Sequence, residues 1–135
     1  MSSTYVLDAN AIRELNYDQI CEKKRDDRLI ATIEDVKYEV RNLEKIKALN
    51  IETLNSNAFQ KMSEIINKYQ CVRNVIDYYN NKGTGDVGLL AYSLTINEGT
   101  FFKDEVYIVT NDRGLRTACD ELGSKWLSVD DFNSI

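Results

Sequence analysis

Histidine is absent from the 135 residues, and proline is absent as well. Without an imidazole there can be no Ser-His-Asp or Cys-His arrangement, no two-histidine nuclease site and no HExxH zinc site. Any hydrolysis must rest on carboxylates, metal ions or lysine. The three cysteines, Cys21, Cys71 and Cys119, are odd in number and lack a CxxC spacing. This argues against a disulfide framework or a zinc ribbon and is expected of reduced core residues. Long apolar runs are missing too: none approaches the roughly 18 to 20 residues that would span a bilayer. The opening MSSTYVLDAN lacks the basic and apolar blocks of a signal peptide, so no membrane association and a soluble, cytoplasmic protein are expected. With no low-complexity linker, repeat or composition shift, residues 1–135 read as one domain, a common size for a single core.

The formal charge of −5 looks unsuited to a nucleic-acid enzyme, because phosphate contacts come from Lys and Arg. Setting four of the 22 acidic residues aside for metal ions leaves a nearly neutral balance with the 17 basic ones. Net charge therefore does not decide the function.

Short apolar runs alternate with longer stretches of helical period, the pattern of a parallel sheet covered by helices in an α/β fold. Strands are expected at Thr4–Leu7, Leu29–Thr32, Ile51–Thr53, Val106–Thr110 and Trp126–Val129. Helices are expected after Asp8 through Leu15, over Ile33–Lys47, Ala58–Tyr69, Val72–Tyr79, Asp86–Ile96 and Asp112–Leu122, the last stopped by Gly123.

In open parallel sheets the ligand site lies beyond the carboxyl ends of the strands, which singles out acidic residues that follow strands. Asp8 follows Tyr5, Val6 and Leu7; Asp112 follows the run Val106–Thr110 after a single Asn. Aspartate is also a favoured helix N-cap residue, and both readings stand for each. Glu39 falls on a stripe with Val36, Val40 and Leu43, so its carboxylate is expected to face the core and to need a cationic partner, either Arg or Lys or a metal ion. Asp86 shares a helix face with Leu90, after Gly83 and Gly85, and is expected to point inward. Four carboxylates brought together repel and call for cations, and an all-oxygen donor set selects Mg²⁺ or Mn²⁺ over zinc. Metal-assisted phosphodiester hydrolysis is the chemistry that follows.

Four segments carry a resemblance to the PIN-domain ribonucleases over essentially the whole chain. YVLDANAI is similar to that family's opening strand with its first aspartate, at Asp8, and a supporting polar position at Asn10. TIEDVKYEV resembles the helix with the internal glutamate, at Glu39; TGDVGLLAYSL resembles the third motif, at Asp86. IVTNDRGLRTACDELG resembles the final strand, aspartate and helix, with Asp112 as fourth ligand and Thr110 and Asn111 as supporting polar residues. The resemblance implies a three-layer fold with a parallel five-stranded sheet between helices, and a Mg²⁺- or Mn²⁺-dependent endoribonuclease. It also implies an RNA substrate, a homodimer, and an antitoxin partner if the chain is the toxin of a toxin-antitoxin pair. Ala9 departs from the family, where a hydroxyl residue often follows the first aspartate.

Arg13, Lys82, Arg113 and Arg116 are placed near the expected site mouth, where they could contact phosphates; a solvated face is the competing reading. The cluster Lys23, Lys24 and Arg25 is followed directly by Asp26 and Asp27 and is expected to be a solvated face. Tyr17, Tyr78, Tyr79 and Tyr92 could stack bases but are expected in core or dimer contacts, and Trp126 is read as core. Two rival functions remain: a catalytically inactive PIN-like RNA- or protein-binding scaffold, and a phosphatase with Asp8 as nucleophile. The second commonly needs an aspartate two residues on, where this chain has Asn10.

Overall fold

The computed structural model describes residues 3–68, 84–99 and 105–135. Five strands, β1 (Ser3–Leu7), β2 (Arg28–Ile33), β3 (Asn50–Glu52), β4 (Glu105–Val109) and β5 (Lys125–Leu127), form one all-parallel sheet in the order β3-β2-β1-β4-β5. Parallel strands are covered on both faces, so they read as continuous apolar runs rather than alternating ones. That is why Val6, Leu7, Ile30, Ile108 and Val109 are all buried.

Helices among the described residues are α1 (Ala9–Glu14), α2 (Tyr17–Glu22), α3 (Glu34–Glu39), α4 (Leu43–Lys47), α5 (Ser56–Lys68), α6 (Thr84–Gly99), α7 (Arg113–Leu122) and α8 (Val129–Asn133). The chain winds outward from β1 through β2 to β3, then returns to the other side of β1 for β4 and β5. Crossovers between parallel strands are right-handed, so this reversal sends the later helices to the opposite face of the sheet from the earlier ones. The architecture is therefore α/β, with a central parallel sheet flanked by helices. The reversal also creates a switch point between β1 and β4, where adjacent strands lead their chains in opposite directions and leave a crevice at their carboxyl ends.

Several local expectations are corrected. The helix expected over Ile33–Lys47 is broken: Val40 is extended, with φ −97° and ψ 120°, and α4 starts afresh with the Asn42 side chain accepting from the Lys45 N–H. Leu43 is consequently 71% exposed and leaves the apolar stripe, whereas Val36 and Val40 remain buried. The last strand ends at Leu127 rather than Val129, because Ser128 caps α8 by accepting from Asp131. Helix α2 was not expected; a reciprocal capping box between Asn16 and Gln19 starts it. The helix expected over Val72–Tyr79 lies outside the described residues, as do Cys71, Tyr78, Tyr79, Lys82 and Gly83. No helix among the described residues is long and apolar enough to cross a membrane.

Candidate metal centre

Asp8 continues the β1–β4 ladder by one residue, its N–H donating to the Val109 carbonyl at 3.2 Å. Its neighbour Leu7 is held from the other side, where the Thr32 hydroxyl donates to the Leu7 carbonyl at 2.8 Å. Asp8 thus enters the crevice from a fixed backbone. Its carboxylate is buried: Oδ1 accepts from the Ala11 N–H at 2.7 Å, which caps α1, and Oδ2 accepts a short hydrogen bond from the Thr110 hydroxyl. Burial nonetheless raises its pKa, against those hydrogen bonds, and the charges of Asp112 and Glu14 add to the rise.

Thr110 links the two strand ends. Its Oγ1 also accepts from the Asp112 N–H at 3.0 Å, so one buried hydroxyl fixes Asp8 and the backbone of Asp112. Asp112 caps α7 through Oδ1, which accepts from the Leu115 N–H at 2.8 Å. Both aspartates therefore do cap helices, and this leaves them at the sheet end rather than turning them away from it.

Asp86 lies in the first turn of α6, two residues inside its start, so the capping explanation does not apply to it. Helix α6 packs against β2, β4 and α3, which brings Asp86 beneath the crevice. Its pKa is pushed up to about 7, first by burial and then by the charges of Asp8, Asp112 and Glu39. Among the described residues no cation pairs with it. Glu39 corrects the sequence reading in part. It is the last residue of α3 and exposed, rather than core-facing, because the helix ends there. Its carboxylate nevertheless reaches α6: a Cβ placed on Gly85 would lie 3.1 Å from Glu39 Oε1. Partial desolvation raises its pKa, the Arg13 charge lowers it and Asp35 raises it.

The four carboxylates thus come from four separate elements and share one electrostatic environment. Among the described residues no group of three or more His, Cys, Asp or Glu side chains is arranged to hold a metal ion as it stands. Their charges act together at Asp86 without the carboxylates closing on one point. The donor set is all oxygen, and Asp86 carries mutual repulsion that a hard divalent cation would relieve; on both counts the residues suit Mg²⁺ or Mn²⁺.

The supporting residues divide. Asn111 accepts from the Val129 N–H at 3.0 Å and donates to Glu14 Oε2 at 3.1 Å, tying β4 to α8 and to α1. Asn10 accepts from the Arg13 guanidinium at 3.1 Å. Arg113 is exposed at the start of α7. Arg116 does not reach toward the crevice as an open donor: its guanidinium lies 5.1 Å from the Trp126 ring centroid, and its Nε is buried without a hydrogen bond. Trp126 is half-buried, its indole N–H donating to Asp120 at 2.9 Å, so it is not the full core residue expected. Tyr92 is core, whereas Tyr17 is 41% exposed. Lys23 and Arg25 donate to backbone carbonyls near the carboxyl terminus and at the end of α2. Cys119 is buried and unpaired, its thiol pushed up to about 12 by burial, and Cys21 is also a free thiol.

Sequence reasoning missed Glu14, whose charge bears on Asp8, and Thr32. Glu14 lies at the end of a six-residue helix, with no strand before it and no apolar stripe to mark it. Thr32 was visible only as a polar residue ending an apolar strand.

Compared with protein-family models and with curated protein sequences, the chain matches none.

Proposed function

We propose that this protein is a Mg²⁺- or Mn²⁺-dependent endoribonuclease, in keeping with its resemblance to the PIN-domain ribonucleases. The reading is carried by Asp8, Glu39, Asp86 and Asp112, which come from four elements and whose charges act together at Asp86, in a fold whose strand order reverses between β1 and β4. Asp8, Asp86 and Asp112 would hold the ions, with Glu39 completing the set from the rim. Bound ions of this type lower the pKa of a water and neutralise charge on the transferring phosphate. The protein's own part is to hold the carboxylates: Thr110 orients Asp8 and Asp112, and the cap of α7 fixes Asp112 Oδ1. Arg113, exposed beside the site, is the candidate phosphate contact. An antitoxin and a homodimer belong to this proposal by resemblance alone.

The inactive-scaffold reading draws on one observation, that the carboxylates do not close on a single point as they stand. The phosphatase reading lacks the second aspartate that this chemistry commonly needs two residues on, where the chain has Asn10. The test is cleavage of a mixed RNA pool by the purified chain with Mn²⁺, Mg²⁺ or EDTA, alongside Asp8→Asn and Asp112→Asn. Cleavage that needs metal and is lost in both variants supports the nuclease. Metal-independent binding of RNA without cleavage supports the scaffold, and acyl-phosphate trapping at Asp8 supports the phosphatase.

A further inference from the structure

Of the four carboxylate residues, Glu39 is the most exposed. It ends a six-residue helix, it is exposed, and its carboxylate accepts no hydrogen bond among the described residues. A glutamate at a frayed helix end samples several rotamers, yet this one lies against α6. Two features account for that. Gly85 presents a bare Cα, leaving room that a Cβ, 3.1 Å from Glu39 Oε1 and 3.2 Å from Val36 Cγ2, would fill. The second is Arg13. One terminal nitrogen of its guanidinium donates to the Glu39 backbone carbonyl and the other to Asn10 Oδ1, each at 3.1 Å. The Arg13 backbone is itself fixed, because Lys45 Nζ donates to the carbonyls of Ile12 and Arg13, each at 3.1 Å. Arg13 therefore stands where α1, α3 and α4 meet, with its planar fork already committed. A lysine could supply the charge there but not both bonds in that geometry.

We infer that Arg13 is a positioning residue for Glu39, holding the end of α3 so that this carboxylate stays against Gly85 and beside Asp86. The inference rests on the metal-centre reading above and changes the role expected of Arg13 from phosphate contact to support of a ligand. Partners that orient ligands typically change metal affinity by about 10- to 100-fold when removed. A residue acting only through Glu39 must lose its effect once Glu39 can no longer contribute charge.

The experiment is Mn²⁺ binding to the full chain, followed by electron paramagnetic resonance of free Mn²⁺. The proteins are wild type, Arg13→Lys, Glu39→Gln and the double variant, with circular dichroism melting of each as the folding control. Arg13→Lys is expected to weaken Mn²⁺ binding by about tenfold, and to add less than about twofold in the Glu39→Gln background. Gly85→Ala gives a second route to the same end, since it displaces the carboxylate without touching Arg13; its loss is likewise expected to vanish beside Glu39→Gln. Wild-type Mn²⁺ affinity in Arg13→Lys, or losses that multiply in the double variant, would overturn the inference. An unchanged Mn²⁺ affinity with a raised KM for RNA would return Arg13 to phosphate binding. If the wild type binds no Mn²⁺, the metal-centre reading itself fails, an outcome distinct from failure of the positioning role.

Discussion

Asp86 is half-buried near three other carboxylates, and its protonation makes stability depend on pH. Its folded-state pKa of about 7 stands above the ordinary 3.8, so between those values the folded chain binds more protons than the unfolded one. Stability therefore falls as pH rises through this window and levels off above it, the reverse of a salt-bridged aspartate. The full difference corresponds to about 4 kcal/mol as an upper limit, and the raised values of Asp8 and Glu39 act in the same direction. The metal-free protein is expected to melt at a lower temperature at pH 8 than at pH 5.5. Asp86→Asn should raise the melting temperature at pH 8 and flatten the dependence; thermal melts across the range check both. Thr110 makes the opposite kind of contribution. Thr110→Val removes the donor to Asp8 and the acceptor of the Asp112 N–H, leaving two polar groups unsatisfied. A loss of about 2–4 kcal/mol is expected in denaturant unfolding.

At the level of elements, the caps decide more than propensity does. Gly123 ends α7 with φ +80°, and nothing lies within 4 Å of a Cβ built there. Gly123→Ala is thus strained by backbone conformation alone and should cost about 1 kcal/mol in urea unfolding; a neutral result would show that the helix end relaxes. The long helices were legible in the sequence because their apolar residues repeat at the helical period over enough length, and the strands because they read as short continuous apolar runs. The break at Val40 was not. Residues 33–47 keep a helical pattern throughout, and only the capping geometry of Asn42 separates two helices. Glu39 was placed in the core on that unbroken pattern, and the break carries it to the rim instead. Short α2 and α8 left only their cap residues, Asn16 and Ser128, as signals, since helices of six and five residues are too brief to show a period.

For the whole molecule, the alternation of strands and helices announced a parallel α/β sheet, but strand order is not written in any local pattern. It is the order β3-β2-β1-β4-β5 that sets Asp8 and Asp112 on either side of the reversal, with Thr110 between them. Asp86 and Glu39 reach the same crevice only because α6 and α3 pack against each other. Of the four residues picked out from the sequence, two were located by following strands and two by their places on apolar helix faces, and the fold brings all four into one electrostatic neighbourhood.

If that neighbourhood is a metal centre, cation binding must depend on every carboxylate in it. Calorimetric titration of Mn²⁺ into the wild type and into Asp8→Asn, Glu39→Gln, Asp86→Asn and Asp112→Asn at pH 7.5 tests this directly. Saturable binding that is weakened in each of the four variants is the expected result. No saturable binding by the folded wild type, or binding that all four variants retain unchanged, would contradict the account.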